Sequence, residues 1–389
     1  MKSLKKVFSG VLAAAVAVTC FAGCTSNSGK EDSSGAKSDS ANTSGTIVVG
    51  CTGPLTGDAS QYGISVQRGA QLAVDEINAA GGINGINYSF IMKDDKANAT
   101  ETNTAYDQLM DEGMQISIGS VTSASCEAFA AKSVDDNLFF ITPSASNADI
   151  IAGRDNGFRV CFGDPDQGIL AADKLVNEYK KTKIGCIYDT SDTYSSGIYE
   201  AFKGEMDKLG VSFTTMPFDK ENNKDFSTQV EALKDCDAIF TPFYYTEAGL
   251  VARACAAKGV NALIFGCDGL DGVSEQIDSS VTNEVQYITP FDKSSTDEKV
   301  ASFVSKFTEK YGSAPDQFAA DAYDAIYVIY NAMKSADIKD ANISVSDLCE
   351  KVKAAILDSS FKFTGVTGTM TWNANGAPNK EPIVVTVKK

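Results

Sequence analysis

The sequence contains no histidine among its 389 residues. This absence excludes Ser–His and Cys–His nucleophilic catalysis, and it removes the commonest metal-binding side chain. The 10 cysteines are scattered, without a C-x-x-C pair or the spacing of a zinc site. We therefore expect neither a metal nor a cofactor, and we interpret the cysteines of the folded part as small, mostly buried apolar residues.

The sequence also lacks the common motifs of nucleotide-binding and hydrolytic enzymes. It contains no G-x-x-x-x-G-K-[ST], no G-x-G-x-x-G and no G-x-S-x-G. Asp94 and Asp95 are adjacent and suggest a metal site or an acid pair, but a solvated, helix-capping strand end is the simpler interpretation. We predict a protein that is not an enzyme. An extracellular enzyme is the alternative, and a turnover assay on candidate ligands distinguishes the two.

Positive charge is scarce, with 34 lysines and arginines against 51 acidic residues and a formal net charge of −17. Nucleic acids and anionic lipid surfaces repel a chain of this charge. We therefore expect a protein that binds no nucleic acid and stays soluble.

The N-terminus lacks an apolar run long enough to span a membrane comfortably. A basic segment, residues 1–6, precedes an Ala-rich apolar stretch at residues 7–21, which is the pattern of an export signal. The stretch ends in Phe21-Ala22-Gly23-Cys24. These residues resemble a bacterial lipobox, although Phe21 stands where leucine is usual. The resemblance implies a lipoprotein signal peptide over 1–23 and a lipid on Cys24, and an ordinary signal peptide is the alternative.

The segment after Cys24 has almost no apolar residues. Residues 24–45 are rich in Ser, Gly, Asp and Lys, so they cannot bury enough surface to fold. We predict a disordered Ser-rich tether over 24–45, which would leave the body of the protein held to the outer face of the cell membrane only through its lipid.

From residue 46 onward, short strands alternate with amphipathic helices. A β-branched strand over Thr46–Cys51 precedes a helix with Ala70, Ala73, Val74 and Ile77 at i, i+3, i+4 and i+7. Similar pairs of elements follow, and the pattern restarts after residue 163. This alternation predicts an α/β protein with parallel, doubly wound sheets in two similar units.

The stretch Gln115–Ala131 combines a strand, a loop of small hydroxyl residues and a helix. The free N–H groups and the positive dipole end of such a helix favour an anion above the turn. Ser123 and Ser125 are also good N-cap residues. The alternative is therefore that these serines only cap the helix.

A set of short motifs runs through the folded part: Gly53-Pro54-Leu55-Thr56-Gly57, Gln61-Tyr62-Gly63, Asp75-Glu76-Ile77-Asn78 with Gly81-Gly82, Asp94-Asp95, Ile118-Gly119, Thr142-Pro143-Ser144-Ala145-Ser146, Asp225-Phe226-Ser227 and Gly365-x-x-Gly368. Together they resemble the branched-chain amino acid (leucine/isoleucine/valine) binding family of ABC importers. The resemblance covers residues 46–387 and implies the type I periplasmic-binding-protein fold, with two lobes joined by three crossovers. The crossovers would lie near Asp164, Pro290 and Gly368, giving one lobe of 46–163 plus 291–367 and a second of 164–290 plus 368–389.

The resemblance also implies a set of ligand-binding residues. Ser123 matches the position that binds the α-carboxylate, and Ser144 and Ser146 match two positions that bind carboxylate and ammonium. Tyr62 and Tyr194 match aromatic residues of the first and second lobes. The second-lobe ammonium partners correspond to Tyr244 and Asp268, and Phe318 is a further candidate for the aromatic wall. These types suit an amino acid, since they supply donors, acceptors and apolar walls.

By this resemblance, the protein is a monomeric, extracytoplasmic solute-binding protein. Its partners would be a free amino acid, branched-chain or otherwise apolar, and an ABC permease in the membrane. Asp268 stands where some relatives have Glu, and Ser144 and Ser146 stand where others have Ala and Thr. These departures leave a related amide, aromatic or carboxylate ligand open. A ligand-sensing receptor domain on the same fold is a further alternative.

Overall fold

The computed structural model describes residues 45–387. The predicted signal peptide, the lipidation site Cys24 and the tether up to residue 44 lie outside the described residues, so the interpretations made for them stay predictions. Within the described part, no helix combines the length and the apolar character needed to cross a bilayer.

The first sheet has five parallel strands in the order β2-β1-β3-β4-β5. Its strands are β1 (Thr46–Gly53), β2 (Asn87–Asp94), β3 (Ile116–Ser120), β4 (Phe140–Thr142) and β5 (Gly157–Arg159).

The second sheet has six strands in the order β13-β10-β9-β8-β6-β7. All of its pairings are parallel except that of β13, which runs antiparallel to β10. Its strands are β6 (Ile184–Asp189), β7 (Thr214–Phe218), β8 (Ala238–Thr241), β9 (Leu263–Gly266), β10 (Val285–Thr289) and β13 (Ile383–Thr386). A small antiparallel hairpin joins β11 (Phe363–Gly365) to β12 (Gly368–Met370).

Ten α-helices connect these strands in the described part of the chain. They are α1 (Ser60–Ala79), α2 (Ala99–Asp111), α3 (Ser123–Asp135), α4 (Asp164–Asp173), α5 (Thr193–Leu209), α6 (Ser227–Ala232), α7 (Tyr245–Lys258), α8 (Glu298–Tyr311), α9 (Gln317–Ser335) and α10 (Val345–Ile356). A π-helical turn, Lys174–Glu178, continues α4.

Each sheet has an apolar core on both faces, because neighbouring strand residues point to opposite sides. In the first sheet, Ile141 packs with α1 and α9, whereas Phe140 packs with α2 and α3. In the second, Phe240 packs with α4 and α5, whereas Ile239 packs on the side of α6 and α7. The eight described cysteines are free, and seven are buried. The predicted class of doubly wound parallel-sheet lobes is confirmed.

The chain passes between the two sheets three times. It leaves the first sheet after β5, returns after β10 to form α8 and α9, which pack with α1, and crosses again before β13. Residues 371–380 run beside β5: Trp372 Nε1 donates to the carbonyl oxygen of Arg159 at 2.7 Å, and the Arg159 N–H donates to Gly376. Lys380 forms an ion pair with Asp321 that is almost fully buried. The last crossing therefore lies after Lys380, between these contacts and β13, and not near Gly368 as the resemblance implied.

Candidate ligand site between the lobes

The predicted ligand residues all follow the carboxyl ends of parallel strands. In the first lobe, Tyr62 lies in α1 after β1, Ser123 follows β3, and Ser144 and Ser146 follow β4. In the second lobe the equivalent positions are as follows: Tyr194 after β6, Tyr244 after β8 and Asp268 after β9. Ligands of open α/β sheets bind at this end of the strands, and here the two ends face each other.

Hydrogen bonds hold the two hydroxyl-rich loops of the first lobe together. The Ser123 hydroxyl oxygen accepts the N–H groups of Ser146 and Asn147, each at 3.3 Å. The Ser144 hydroxyl donates to the carbonyl oxygen of Val121 at 2.7 Å. As a result, Ser123 keeps its hydroxyl hydrogen for an acceptor in the cleft, whereas Ser144 keeps only its two lone pairs and can only accept.

The helix after this loop is not capped by its serines. It begins at Ser123 itself, its N-cap is Thr122, and no side chain caps it. The alternative in which Ser123 and Ser125 act only as caps is therefore wrong. The first N–H groups of α3 have no acceptor within the helix and point toward the cleft with the positive end of its dipole.

Asp268 is the acidic group of the second-lobe wall. Its Oδ1 accepts the Tyr194 hydroxyl at 2.6 Å and the Gly269 N–H at 2.9 Å, and it is only 4% exposed. Burial raises the pKa of the Asp268 carboxyl to about 6, although the hydrogen bonds from Tyr194, Gln167 and Gly269 oppose that rise. Removing the Asp268 carboxylate from water costs free energy, and a cation bound in the cleft would offset that cost.

Four aromatic rings form a continuous wall across the cleft. Tyr62 packs edge-on against Tyr244, with ring centroids 5.5 Å apart, and tilts against Phe318 at 4.2 Å. Tyr194 stacks on Tyr244 at 5.2 Å. The Tyr62 hydroxyl donates to the Gly269 carbonyl oxygen and accepts the Tyr245 N–H at 3.1 Å, so Tyr62 ties the two lobes together.

The cleft is closed in this structure. Asn147 Nδ2 donates to the Thr193 carbonyl oxygen at 2.9 Å, and the Tyr245 hydroxyl donates to the Asp58 carbonyl oxygen at 2.8 Å. The cavity left between the lobes measures about 10 Å³, which is room for about one water molecule. An amino acid is several times larger, so it can enter only when the lobes open.

Most of the predicted ligand-binding residues line the closed cavity. Six of the seven line it together with Phe318, Val121, Thr122 and Gly269. Ser146 does not line it, and its side chain is fully buried beside the Asp164 carboxyl group. Among residues 45–387, no group of three or more His, Cys, Asp or Glu side chains is placed to hold a metal ion.

Sequence reasoning missed two polar residues beside the cavity. Asp164 was predicted only to mark a crossover, yet its carboxylate is buried. Gln167, one turn later in α4, accepts the Asp268 N–H at 3.0 Å through Oε1. The Gly163-Asp164-Pro165 sequence signals a helix start, but it gives no sign that this acid faces inward.

The chain is similar in sequence and in fold to known proteins. The chain is 28% identical over 333 residues to the Leu/Ile/Val-binding protein homolog 3 of Brucella melitensis, covering 85% of this chain and 88% of that protein. The crystal structure of a leucine binding protein, LivK, from Thermotoga maritima superposes with a TM-score of 0.79 at 26% identity, covering 88% of this chain and 95% of that one.

A second solved structure is similarly close. The branched-chain amino acid transporter substrate binding protein LivJ from Streptococcus pneumoniae, in complex with isoleucine, has a TM-score of 0.78 at 27% identity, covering 88% of this chain and 96% of that one. The family model described as periplasmic binding protein matches residues 46–389. The chain therefore belongs to the periplasmic binding protein family.

Proposed function

We propose that this protein is the extracytoplasmic solute-binding protein of an ABC importer and takes a free amino acid, branched-chain or otherwise apolar, between its lobes. The observation that carries the proposal is the closed cavity, where hydroxyl groups and a helix N-terminus face a buried acid across an aromatic wall. A zwitterion with an apolar side chain presents the matching groups. The protein binds and releases this ligand without changing it.

The first-lobe wall would hold the α-carboxylate. The free hydroxyl hydrogen of Ser123 and the first N–H groups of α3 are hydrogen-bond donors at one point. Among residues 45–387, no arginine lines the cavity, so recognition of the carboxylate would depend on these neutral donors. Because the Ser144 hydroxyl hydrogen is already used, we assign Ser144 an accepting role instead.

The second-lobe wall would hold the α-ammonium. Asp268 supplies the negative charge, and Tyr244 of this lobe and Ser146 of the first lobe supply further oxygen atoms. Tyr194 fixes the carboxylate through its hydroxyl, which donates to Oδ1 at 2.6 Å. The rings of Tyr62 and Phe318 would then contact the ligand side chain.

Closure would follow from these contacts, because the ligand then bonds to groups of both lobes. We place one lobe at residues 46–163 with 291–380 and the other at residues 164–290 with 381–387, joined by three crossovers. The names of the Brucella, Thermotoga and Streptococcus proteins, which refer to leucine, isoleucine and valine binding, support an apolar amino acid.

The ligand can be identified directly. Purified protein would be denatured, and the released small molecules analysed by mass spectrometry, with a Ser123→Ala, Asp268→Ala double variant as the control. The proposal expects an apolar amino acid that is released by the wild type and depleted from the variant. Release of an aromatic acid or of another carboxylate without an ammonium group would contradict it.

We also propose that the mature chain begins at Cys24 and is a lipoprotein monomer on the outer face of the membrane, where its closed form docks on the permease. The support is the Ala22-Gly23-Cys24 sequence after an export signal. Replacing Cys24 by Ser should release the protein from the membrane or block its processing, because lipid chains supply the attachment. Membrane fractionation with immunoblotting tests this, and a Cys20→Ser variant is the matched control. A Cys24→Ser protein of mature size in the membrane fraction would contradict the anchor.

A further inference from the structure

Two adjacent acids lie at the end of strand β2, in different environments. Asp94 is partly exposed, and its side-chain oxygens accept the Leu55 N–H at 2.9 Å and the Thr56 hydroxyl at 2.6 Å. Asp95 is completely buried, so the interpretation of the pair as a solvated, helix-capping strand end is wrong for Asp95. A buried carboxylate is costly unless hydrogen-bond donors compensate for the lost water, and these donors show what Asp95 holds in place.

The two carboxylate oxygens of Asp95 have different partners. Oδ1 accepts the Ala97 N–H at 2.9 Å and so stabilises the turn that leads into α2. Oδ2 accepts the Ser120 hydroxyl at 2.8 Å, and its contact with the Thr102 hydroxyl is longer, 3.4 Å. Burial raises the pKa of the Asp95 carboxyl, although the hydrogen bonds from Ser120 and Ala97 oppose that rise. One oxygen therefore serves the local turn, and the other contacts the end of β3.

The regular pairing of β3 with β1 is interrupted just before Ser120. The register between the two strands shifts there, and Gly119 has a left-handed backbone with a φ of 67°. Side-chain contacts therefore have to fix the chain where the strand pairing does not. Ser120 supplies two of them, because its hydroxyl donates to Asp95 and its carbonyl oxygen accepts the Thr142 hydroxyl at 3.0 Å.

The same set of contacts continues into the two hydroxyl-rich loops of the cleft. The Thr142 hydroxyl oxygen accepts the Ser144 N–H at 3.3 Å. Ser120 itself lies three residues before Ser123, the first residue of α3. Buried hydrogen bonds therefore connect Asp95, which does not line the cavity, to residues that do.

A role confined to the turn before α2 explains less about Asp95. That role uses Oδ1 alone, and the N-cap of α2 is Asn98. A neutral side chain with one acceptor oxygen would satisfy the Ala97 N–H without burying a charge. A carboxylate accepts at both oxygens, which is what the Ala97 N–H and the Ser120 hydroxyl require together.

We propose that Asp95 is a positioning residue for the ligand site: through Ser120 it holds the loop that leads to Ser123 and to the N-terminus of α3. This inference rests on the proposed function, and it adds a residue that does not contact the ligand. Without the Oδ2 contact, the loop is freer before the ligand enters. Ordering that loop would then reduce the free energy of binding.

Calorimetry with L-leucine, L-isoleucine and L-valine tests the inference on the wild type and on two variants, Asp95→Asn and Ser120→Ala. Asn has one acceptor oxygen, so it cannot serve both Ala97 and Ser120. Ser120→Ala removes only the Oδ2 contact and keeps the Ala97 turn, so it remains informative if Asp95→Asn does not fold. Each variant should bind the tightest of the three amino acids about 10-fold more weakly than the wild type does.

Asp324→Asn is the matched control. Asp324 is also buried and holds a turn, since it accepts the N–H groups of Val366 and Thr367 and the Thr367 hydroxyl, but it does not line the cavity. Urea denaturation should show that Asp95→Asn and Asp324→Asn both destabilise the protein. Calorimetry should show that only Asp95→Asn weakens binding. Equal losses of affinity in these two variants would overturn the inference.

A double-mutant cycle with Ser123→Ala separates positioning from general destabilisation. If Asp95 acts through this loop, the loss of affinity in the Asp95→Asn, Ser123→Ala double variant should be smaller than the product of the two single losses. Single losses that multiply would overturn the inference, and so would unchanged affinity in both Asp95→Asn and Ser120→Ala while the wild type binds. If the wild type binds no apolar amino acid at all, the proposed function fails and this inference fails with it.

Discussion

At the scale of single residues, the charge of Asp268 decides what the cleft can hold. The carboxylate is buried, its pKa is raised to about 6, and two donors fix one of its oxygens. A ligand ammonium would replace the water that Asp268 loses on closure. Because Asp268 loses its water on closure, the ligand must carry a cation that pairs with it.

Replacing Asp268 by Ala should therefore weaken amino acid binding by about 2–5 kcal/mol, the range for removing one partner of a buried charge pair. Calorimetry measures this directly. Tyr194→Phe is the control, because it removes the hydroxyl that orients Asp268 but keeps the charge and the ring, and its loss should be smaller. Amino acid affinity in Asp268→Ala equal to that of the wild type would mean that Asp268 only supports the strand end.

At this scale, the sequence predicted which residues form the site, but it did not show which way their side chains point. Ser123, Tyr62 and Asp268 follow from motif positions, and the structure brings them to one cavity. That Ser144 donates to Val121, and is thereby lost as a carboxylate donor, depends on how two loops meet. The burial of Asp164 depends on the packing of α4 against α5, which involves residues far apart in the chain.

At the scale of elements, the close packing of α1 against α9 stabilises the first lobe. A Cβ at Gly69 would lie 2.0 Å from the Ala319 carbonyl oxygen, so the two helix backbones meet at this point. Gly69→Ala should destabilise the protein by about 1–3 kcal/mol, because it overpacks a buried contact.

Urea denaturation with far-UV circular dichroism measures that change. Gly204→Ala is the matched control, because a Cβ at this exposed position of α5 has no atom within 4 Å. It should stabilise the protein by about 0.5–1 kcal/mol through helix propensity. If both substitutions change stability in the same direction and by the same amount, the packing account of Gly69 is wrong.

The sequence predicted most elements, because buried strands and amphipathic helices leave clear periodic patterns. The apolar residues of 317–334 predict a helix, and α9 covers Gln317–Ser335. The β-branched and apolar residues of 211–218 predict a strand, but β7 begins only at Thr214. The apolar Val211 and Phe213 pack on the core of the second lobe before the sheet pairing starts. The short strand β11, Phe363–Gly365, was missed, since it pairs only within a hairpin.

At the scale of the whole molecule, pH should control closure in the absence of ligand. Burial in the closed form raises the pKa of Asp268 to about 6 and raises that of Asp164, whereas an exposed Asp has a pKa of about 3.9. Between these values the closed form binds more protons than the open form. Raising the pH from about 4 to about 6 should therefore favour the open form.

Small-angle scattering on the unliganded protein tests this, with a radius of gyration that increases as the pH rises. Asp268→Asn is the control, because it removes one titrating group from the closed cleft and should reduce the change. A radius of gyration that decreases with pH would contradict the account, and so would an identical response in wild type and variant.

The central claim is that the two lobes close on a free amino acid through its ammonium group. Calorimetric titration of the wild type, first freed of bound ligand by unfolding and refolding, with apolar amino acids and with their matching 2-keto acids tests it most directly. The account predicts that at least one apolar amino acid binds and that its keto acid binds at least about 30-fold more weakly, since the keto acid leaves Asp268 unpaired. A keto acid or aromatic carboxylate that binds more tightly than every amino acid would contradict it.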